Sequence, residues 1–383
     1  MIDFRLTDEQ KQFRDLAHTF AEREMRPVAP HYDEAEEFPW EVLRKAQKVG
    51  LLAYSIPEEY GGVGISSAVT GCLIAEELFW GCAGMATAAS GTMLAGFPIM
   101  LMGNESQKAR YLPWFTDPET LRLGAFALTE PGSGSDAASI STTARREGDA
   151  YVLNGRKCFI TNGGIADLYI VFATVDKSAG AGGITAFVVE GNAPGIVAGK
   201  KEKKMGIRAS HTGDVAFEEV RVPVENRLGD EGWGFMGAMQ FFDHSRPVVA
   251  AAGVGIARAA MEYARDYSLQ RQQFGRPIGK FQAISFLLAD MATEIDAARL
   301  LVWHAAWLAD QGLPCTKEAS MAKSFAGRTA MRVTTDAVQV LGGYGYMRDY
   351  PVEKWLRDAK ITQIYEGTEQ IQKLVISRFM LEA

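Results

Sequence analysis

The sequence predicts an α+β protein in which helices come first, strands follow and helices return. Apolar residues recur at helical spacing up to about residue 118, form alternating or β-branched runs to about Pro223, and return to helical spacing from Gly232. A doubly wound sheet needs strands and helices to alternate, so this order argues against that class. We therefore predict three domains, at residues 1–118, 119–230 and 231–383.

The first domain is predicted to be all helical. Thr7 followed by Gln10 is typical of a capping box, and apolar residues then repeat at helical spacing until Pro27. Further helical patterns cover residues 40–49, 66–79 and 107–115.

One weakly charged stretch, from Gly81 to Gly103, has the length of a membrane span. Pro98 and several small polar residues interrupt it, so we expect a buried core helix and no membrane insertion. The N-terminus has no basic segment followed by an apolar run, so we also expect no secretory signal.

Strand signals fill the middle domain. Residues 151–153 and 156–160 are strand-like and are separated by Asn154-Gly155, a pair typical of a two-residue hairpin turn. We therefore predict a hairpin at this point. The lysine-rich residues 200–204 are predicted to form a solvated turn rather than an anionic docking patch.

Four long helical segments predict a bundle at the C-terminus. Gly- and Pro-containing breaks separate them, and short connections between long helices are typical of antiparallel packing. The segments cover about 234–270, 281–311, 316–341 and 352–382.

Composition excludes several functional classes. A net charge of -7 provides no concentrated basic surface for nucleic acid. The four cysteines are far apart and form no C-x-x-C pair, which indicates a reducing compartment: the cytoplasm, or the mitochondrial matrix for a processed eukaryotic chain. The five histidines lack metal-ligand spacing and no G-x-S-x-G is present, so we expect neither a metal site nor a hydrolase triad.

The loop GSGSDA at 132–137 formally matches the dinucleotide pattern G-x-G-x-x-G/A. The Ser- and Thr-rich residues that follow predict a strand where a phosphate-binding helix should begin, which argues against a Rossmann site. Two interpretations remain open: a plain β-turn, or a loop whose amides and hydroxyls hold a polar ligand.

A single carboxylate draws attention near the C-terminus. Glu366 lies behind apolar residues at a Gly turn, and Thr368 is placed to cap the helix that follows. Partial burial at such a position raises a carboxyl pKa toward the range of a general base. Pattern alone favours the plainer interpretation, an exposed glutamate at a helix entrance.

Five ordered motifs, spread over nearly the whole chain, resemble the acyl-CoA dehydrogenase family, nearest its medium- and short-chain branch. The motifs are TEPGSGSD at 129–136, ITNG at 160–163, RQQFG at 271–275, QVLGG at 339–343 and IYEGTEQIQ at 364–372. The resemblance implies an N-terminal all-α domain, a middle β-barrel-like domain and a C-terminal four-helix bundle. This architecture agrees with the order of elements predicted from periodicity.

The resemblance also implies FAD between the β domain and the bundle of a homotetramer, a dimer of dimers. One subunit would contact the flavin through Phe126, Leu128, Thr129, Ser135, Phe159 and Thr161. The neighbouring subunit would contact the pyrophosphate and adenine side through Arg271, Phe274, Gln282, Gln339, Gly342 and Gly343. Thr368 and Gln370 would contact the cofactor after the catalytic turn.

For the reaction, the resemblance assigns Glu366 as the base that removes the α-proton of an acyl-CoA thioester. The β-hydrogen would leave as hydride to flavin N5, which gives the trans-2-enoyl-CoA. Some relatives carry the base at the position of Ser245, whose hydroxyl cannot serve as that carboxylate. Electrons would pass on to an electron-transfer flavoprotein. The substrate would lie near Ser135, Asp243, Arg246 and Tyr365.

The chain departs from the common family pattern beside the cofactor. Phe159 stands where many medium-chain relatives have Trp, and Gln273 stands where Thr is common. In the segment that forms the pocket floor, the small residues Ser90 and Gly91 precede Leu94, which suggests a deep or broad acyl pocket as a hypothesis. The sequence leaves the acyl group undetermined.

Two other interpretations are kept open. An acyl-CoA oxidase or nitroalkane oxidase on the same fold would pass its electrons to oxygen and form peroxide. A scaffold that binds CoA or flavin without catalysis would show no reaction at all. Glu366, where the nitroalkane enzyme would have Asp, and the intact cofactor motifs favour the dehydrogenase.

Overall fold

The computed structural model describes residues 5–381. Its first part is helical, with α1 (Asp8–Phe20), α2 (Ala29–Ala35), α3 (Trp40–Lys48), α4 (Ala68–Gly81), α5 (Ala83–Gly91), α6 (Met93–Met102), α7 (Glu105–Tyr111) and α8 (Pro113–Thr116). The capping box at the start of α1 is confirmed, because Gln10 N donates to Thr7 Oγ1 at 3.2 Å and Thr7 N donates to Gln10 Oε1 at 3.0 Å. The chain continues after Phe20 as a π turn and a 3₁₀ turn.

The prediction of one helix between Gly81 and Gly103 is wrong: the segment is two mostly buried helices, α5 and α6, bent by 43°. The bend occurs at Thr92, and Gly124 approaches this point closely, since a Cβ on Gly124 would lie 2.6 Å from the Thr92 carbonyl oxygen. Over residues 5–381, no single helix is long and apolar enough to cross a membrane, although this bent pair meets the length and hydropathy limits when taken together.

The middle part forms one eight-stranded mixed sheet in the order β6-β7-β3-β2-β4-β5-β8, with β1 parallel to β4. The strands are β1 (Gly124–Ala127), β2 (Thr143–Glu147), β3 (Ala150–Thr161), β4 (Leu168–Thr174), β5 (Ile184–Glu190), β6 (Ile196–Lys201), β7 (Thr212–Pro223) and β8 (Arg227–Leu228). The lysine-rich run at 200–204 ends β6 at Lys201 and then begins the irregular connection to β7, so the predicted turn does not lie within the run itself.

The predicted hairpin at Asn154-Gly155 is wrong, because β3 runs through this pair without turning. The pair instead marks a bulge against β7, where the register shifts between Leu153 and Gly155. The Asn154 side chain is bonded to Glu219 on β7, both to its backbone N at 2.9 Å and to its carboxylate at 2.6 Å. A Cβ at position 155 would lie 2.3 Å from Thr142 Oγ1, which explains the glycine.

Both faces of the sheet are buried, which places the sheet between two apolar cores. Alternate residues of β4 show this, since Ile170 and Phe172 pack with the helices while Tyr169 and Val171 pack against the other strands. On the face that packs with helices, the sheet contacts α6 and the start of the C-terminal helix that begins at Gly234.

The last part contains α9 (Gly234–Gln270), α10 (Gln282–Asp310), α11 (Thr316–Leu341), α12 (Val352–Ala359) and α13 (Glu369–Leu381), with a short hairpin of β9 (Gln272–Gln273) and β10 (Arg276–Pro277). Three long helices agree with the prediction, but the fourth, at 352–382, is interrupted between α12 and α13. Glu366 and Gly367 have φ of 52° and 94°, which a right-handed helix cannot contain. We keep 1–118, 119–230 and 231–383 as proposed domain boundaries.

The three parts meet at a buried cluster that we call the α12 junction: Cys82, Ile207, Lys354 and Asp358. Lys354 Nζ lies 2.5 Å from Asp358 Oδ2 and 3.5 Å from Cys82 Sγ. Ile207 N, in the β6–β7 connection, donates to Asp358 Oδ1 at 2.5 Å. Each part of the chain therefore contributes a group to one network, which fixes their relative positions.

Candidate active site

The turn between α12 and α13, residues 364–368, presents Glu366; we call it the base turn. Ser245, from α9, donates its hydroxyl to Glu366 Oε2 at 2.6 Å. The left-handed φ of Glu366 is a conformation that non-glycine residues rarely adopt without a compensating reason. The side chain is half-buried rather than exposed, so the plainer interpretation of an exposed glutamate at a helix entrance is wrong.

Three side chains hold the base turn in place. Gln372 Nε2, fully buried on α13, donates to the carbonyl oxygens of Glu366 at 3.2 Å and Gly367 at 3.0 Å. Lys323 Nζ, from α11, donates to the Gly367 carbonyl at 2.6 Å. The predicted cap is confirmed, since Thr368 Oγ1 accepts from the Ile371 amide at 3.3 Å. The turn is thus fixed from two helices.

The surroundings of Glu366 shift the pKa of its carboxyl group. Burial raises its pKa above the ordinary value, because the charged form loses its water. The Ser245 hydroxyl and the positive charges of Arg246 and Lys323 act in the opposite direction. Burial is the largest of these effects, so the net pKa is raised. Such a carboxylate is suited to accept a proton near neutral pH.

Arg246 and Asp243, predicted to lie near the CoA portion, occupy α9 beside Ser245. Arg246 is 5% exposed, and its Nη1 lies 3.2 Å from Asp243 Oδ1. Asp243 Oδ2 also accepts the Thr316 hydroxyl at 2.6 Å. The Arg246 charge is therefore buried beside Asp243 and acts electrostatically on Glu366, while its predicted contact with CoA stays a prediction. Tyr365 is half-buried beside the base, and burial raises the pKa of its phenol.

The residues predicted for the flavin side meet along the last residues of β3. Cys158 N donates to the Thr129 carbonyl at 3.0 Å, and Lys157 Nζ donates to the Leu128 carbonyl at 3.0 Å. Lys157 also lies 2.8 Å from Glu130 Oε1, and both side chains are buried. Despite burial, that ammonium and the hydrogen bonds from Ser141 and Thr142 lower the pKa of Glu130 to about 2. A satisfied ion pair thus anchors this segment.

The loop after Glu130 is a tight turn, in which Glu130 and Ser133 exchange two backbone hydrogen bonds of 3.0 Å. Ser133 is buried and Ser135 is exposed. The turn geometry agrees with the β-turn interpretation, and the exposed Ser135 hydroxyl stays available to a ligand.

Aromatic side chains surround the same region. Phe126 is stacked on Phe241 of α9 at 4.6 Å and 17° between planes. Phe159 is 67% exposed at a φ of 57°. A Cβ on Gly91 would lie 3.2 Å from Thr161 Cγ2, so the predicted pocket floor lies directly against a predicted flavin contact. Ser90 is exposed and Leu94 is half-buried.

The residues predicted for the adenine side form a second group. Arg271, Gly342 and Gly343 line a cavity of about 450 Å³ with Tyr344 and other side chains. Phe274 is 92% exposed at a φ of 50°. The remaining members, Gln282, Gln339 and Gln370, are exposed on α10, α11 and α13. Within residues 5–381, no hydrogen bond, ion pair or ring contact joins this group to the flavin group.

Comparison with known proteins decides the family. Models of the acyl-CoA dehydrogenase N-terminal, middle and C-terminal domains match residues 7–119, 125–220 and 231–381. The chain belongs to the acyl-CoA dehydrogenase family. The three-part α+β prediction is thereby confirmed, and the chain is an FAD-dependent oxidoreductase that dehydrogenates acyl-CoA thioesters.

Three similar proteins illustrate the match. An acyl-CoA dehydrogenase of Bacillus subtilis is 50% identical over 98% of this chain and 99% of its own. Butyryl-CoA dehydrogenase from Megasphaera elsdenii is 47% identical, with a TM-score of 0.96 over 99% of this chain and 100% of its own. A third match comes from a solved structure of the electron transferring flavoprotein of Acidaminococcus fermentans, which concerns the mechanism of flavin-based electron bifurcation. The matched chain is 47% identical, with a TM-score of 0.97 and full coverage of both chains.

The residues present fit FAD. Three of the seven non-glycine residues with positive φ in the described chain are predicted site residues: Phe159, Phe274 and Glu366. Such strained positions cluster at ligand sites. Two of them expose large aromatic rings that a planar ligand would cover, and the exposed Arg271 beside two glycines suits a pyrophosphate. Among residues 5–381, no cluster of side chains suited to a metal ion is present.

Sequence reasoning missed several residues that serve this acyl-CoA dehydrogenase site. Ser245 was considered only as a position without a carboxylate, yet it bonds the Glu366 carboxylate. Gln372 ends the motif at 364–372 but received no predicted role, and Lys323 lies outside every motif. A lysine among small residues in an apolar helix stripe, as in SMAKSFAG, is the signal that could have identified Lys323.

Proposed function

We propose that Glu366 is the base that removes the α-proton of a short-chain acyl-CoA. The observation that carries the proposal is the half-buried Glu366 carboxylate, which accepts the Ser245 hydroxyl at 2.6 Å in a turn fixed by Gln372 and Lys323. Its raised pKa brings it nearer the pH at which a base is both ionised and strong enough to accept a proton.

The backbone of the base turn supplies a second function. In the part of the chain that the structure describes, no protein acceptor takes the Glu366 amide. We assign this N–H to the thioester oxygen, where negative charge develops as the α-proton leaves. A donor fixed before the reaction needs no reorganisation at that moment, so the strained φ of Glu366 serves the reaction.

FAD, when bound, accepts the β-hydrogen as a hydride. The chain's own residues orient it: the Leu128–Thr129 segment and the ring of Phe159 would face the flavin, and Arg271 would face the pyrophosphate. Because the two groups lie apart in one chain, we propose that they meet across a subunit interface in a homotetramer. The remaining predicted contacts keep their proposed roles.

For substrate and electron acceptor, the relatives guide the proposal. The 47% identical enzyme from Megasphaera elsdenii acts on butyryl-CoA, which favours a short acyl group over the deep pocket suggested by Ser90 and Gly91. The structure of an electron-transferring flavoprotein that includes a 47% identical chain supports such a protein as the electron acceptor. We propose the cytoplasm as the location, since the four described cysteines are free and buried.

Anaerobic titration of the purified holoenzyme tests this function. Straight thioesters of increasing length, and branched ones, are added while the flavin absorbance is followed. We expect short straight chains to bleach it fastest, whereas fastest bleaching by long or branched chains would contradict the short-chain proposal. Peroxide formed in proportion to substrate in air would identify an oxidase instead.

Glu366→Gln tests the base. This variant keeps the shape of the side chain but cannot accept the α-proton, so we expect bound FAD with flavin reduction slowed by at least about a thousandfold. Glu353→Gln, which changes a half-buried carboxylate on α12 that is paired with Arg357, is the matched control. Substantial reduction by the Gln variant would contradict the assignment of Glu366.

A further inference from the structure

A buried lysine stands next to the base turn with no carboxylate to neutralise it. Lys323 lies on α11 and is 1% exposed. Its ammonium donates to the Gly367 carbonyl at 2.6 Å, and over residues 5–381 no carboxylate oxygen comes within 4.0 Å of it. A buried ammonium without an ion-pair partner is costly, so its presence calls for a physical reason.

The hydrogen bond alone does not supply that reason. Gln372 Nε2 already donates to the same Gly367 carbonyl at 3.0 Å. A neutral donor could provide a second bond without the desolvation cost of a charge. What only a cation adds is a positive potential at the neighbouring Glu366 carboxylate.

Among residues 5–381, three charged groups act on Lys323. Arg246 approaches from α9 and repels it, while Glu366 and Glu369 approach from the base turn and α13 and attract it. Glu369 is already paired with Lys373 at 2.6 Å and lies 3.7 Å from Arg328. Arg246 is paired with Asp243. Glu366 is therefore the carboxylate on which the Lys323 charge acts.

We infer that Lys323 is a positioning residue for the base: it holds the Gly367 carbonyl, and its charge keeps the Glu366 carboxylate ionised. This inference rests on the proposed function of Glu366. Burial lowers the pKa of Lys323 itself to about 8, so the charge acts below that pH and fades above it.

Two variants separate the charge from the hydrogen bond. Lys323→Gln keeps a donor and loses the charge, and Lys323→Met loses both. For each holoenzyme we expect the apparent pKa of Glu366 in flavin reduction to rise by roughly one unit, with about a tenfold slower reduction at acidic pH. Above pH 8 the rates should approach those of the parent enzyme, because its lysine is then neutral as well.

A second readout does not depend on turnover. Infrared titration of the carboxyl C=O stretch, assigned by its loss in Glu366→Gln, should show the same upward shift in both Lys323 variants. Lys317→Met, which removes another lysine of α11 that is paired with Glu318, is the control and should leave the titration unchanged.

The outcomes are decisive. Parent-like pH profiles in both variants, or a loss of equal size at every pH, would overturn the inference and leave Lys323 a structural tie. A shift in Lys323→Met alone would assign the effect to the hydrogen bond and also overturn it. If the Glu366→Gln variant still reduced the flavin, the proposed function of Glu366 would be contradicted. If Glu366→Gln were inactive but the pH profiles of both Lys323 variants matched that of the parent, only the inference about Lys323 would be contradicted.

Discussion

Two buried lysines in the C-terminal part of the chain, Lys354 and Lys323, have opposite surroundings. Lys354, in the α12 junction, lies 2.5 Å from the Asp358 carboxylate. Burial opposes its charge, but Asp358, Cys82 and Asp33 outweigh burial and raise its pKa. Lys323, at the base turn, has only a backbone carbonyl as hydrogen-bond partner within residues 5–381, and burial lowers its pKa to about 8. A paired charge holds the fold together, whereas an unpaired one acts on its neighbour.

The largest expected effect comes from removing Lys354, the paired lysine. Lys354→Met leaves Asp358 as a buried charge with only the Ile207 amide as a strong donor, so we expect the free energy of unfolding to fall by about 3–5 kcal/mol. Urea denaturation of the holoenzyme measures the loss. Equal losses in Lys354→Met and Lys323→Met would contradict the distinction.

The pH dependence of stability should also differ in sign. A raised pKa means that Lys354 stabilises the fold below its unfolded pKa of about 10.4 and loses this effect only as pH rises beyond it. A lowered pKa means that the charged Lys323 destabilises the fold below about pH 8 and that this cost disappears by about pH 10.4. The free energy of unfolding of Lys323→Met, relative to that of the parent enzyme, should therefore be highest at acidic pH.

The next effect tests whether the base turn is held in a fixed conformation. Gly367→Ala places a Cβ 2.6 Å from Gln372 Nε2 at a φ of 94°, so we expect about 1–3 kcal/mol of lost stability and slower flavin reduction. Gly312→Ala is the matched control, because its φ is also positive, at 65°, yet no atom lies within 4 Å of the added Cβ. Equal effects of the two substitutions, measured by denaturation, would show that the contact with Gln372 is unimportant.

The smallest effect concerns one hydrogen bond to the base. Ser245→Ala removes the hydroxyl that favours the ionised Glu366, so its apparent pKa in flavin reduction should rise by roughly half a unit. Ser320→Ala, which removes a buried hydroxyl bonded to the Thr316 carbonyl, should leave the profile unchanged. A lower apparent pKa in Ser245→Ala would show that the Ser245 hydroxyl does not favour the ionised form of Glu366.

Much of the fold was predictable because its signals are local. The capping box at Thr7, the order of helices and strands, and the cap at Thr368 each depend on residues a few positions apart. The Asn154-Gly155 pair shows where this fails, since a strong turn signal became a bulge once β7 offered a full row of backbone partners.

For the site, the motif around Glu366 identified the residue, and its local sequence identified the turn. Sequence alone could not bring Ser245 to the carboxylate across 121 positions, nor Lys323 to the turn across 44. Backbone propensity and capping act over one helical turn, so the sequence determines them directly. Burial, which raises the pKa of Glu366 and lowers that of Lys323, exists only after distant helices pack and exclude water, and so the tertiary structure alone decided the chemistry of the base.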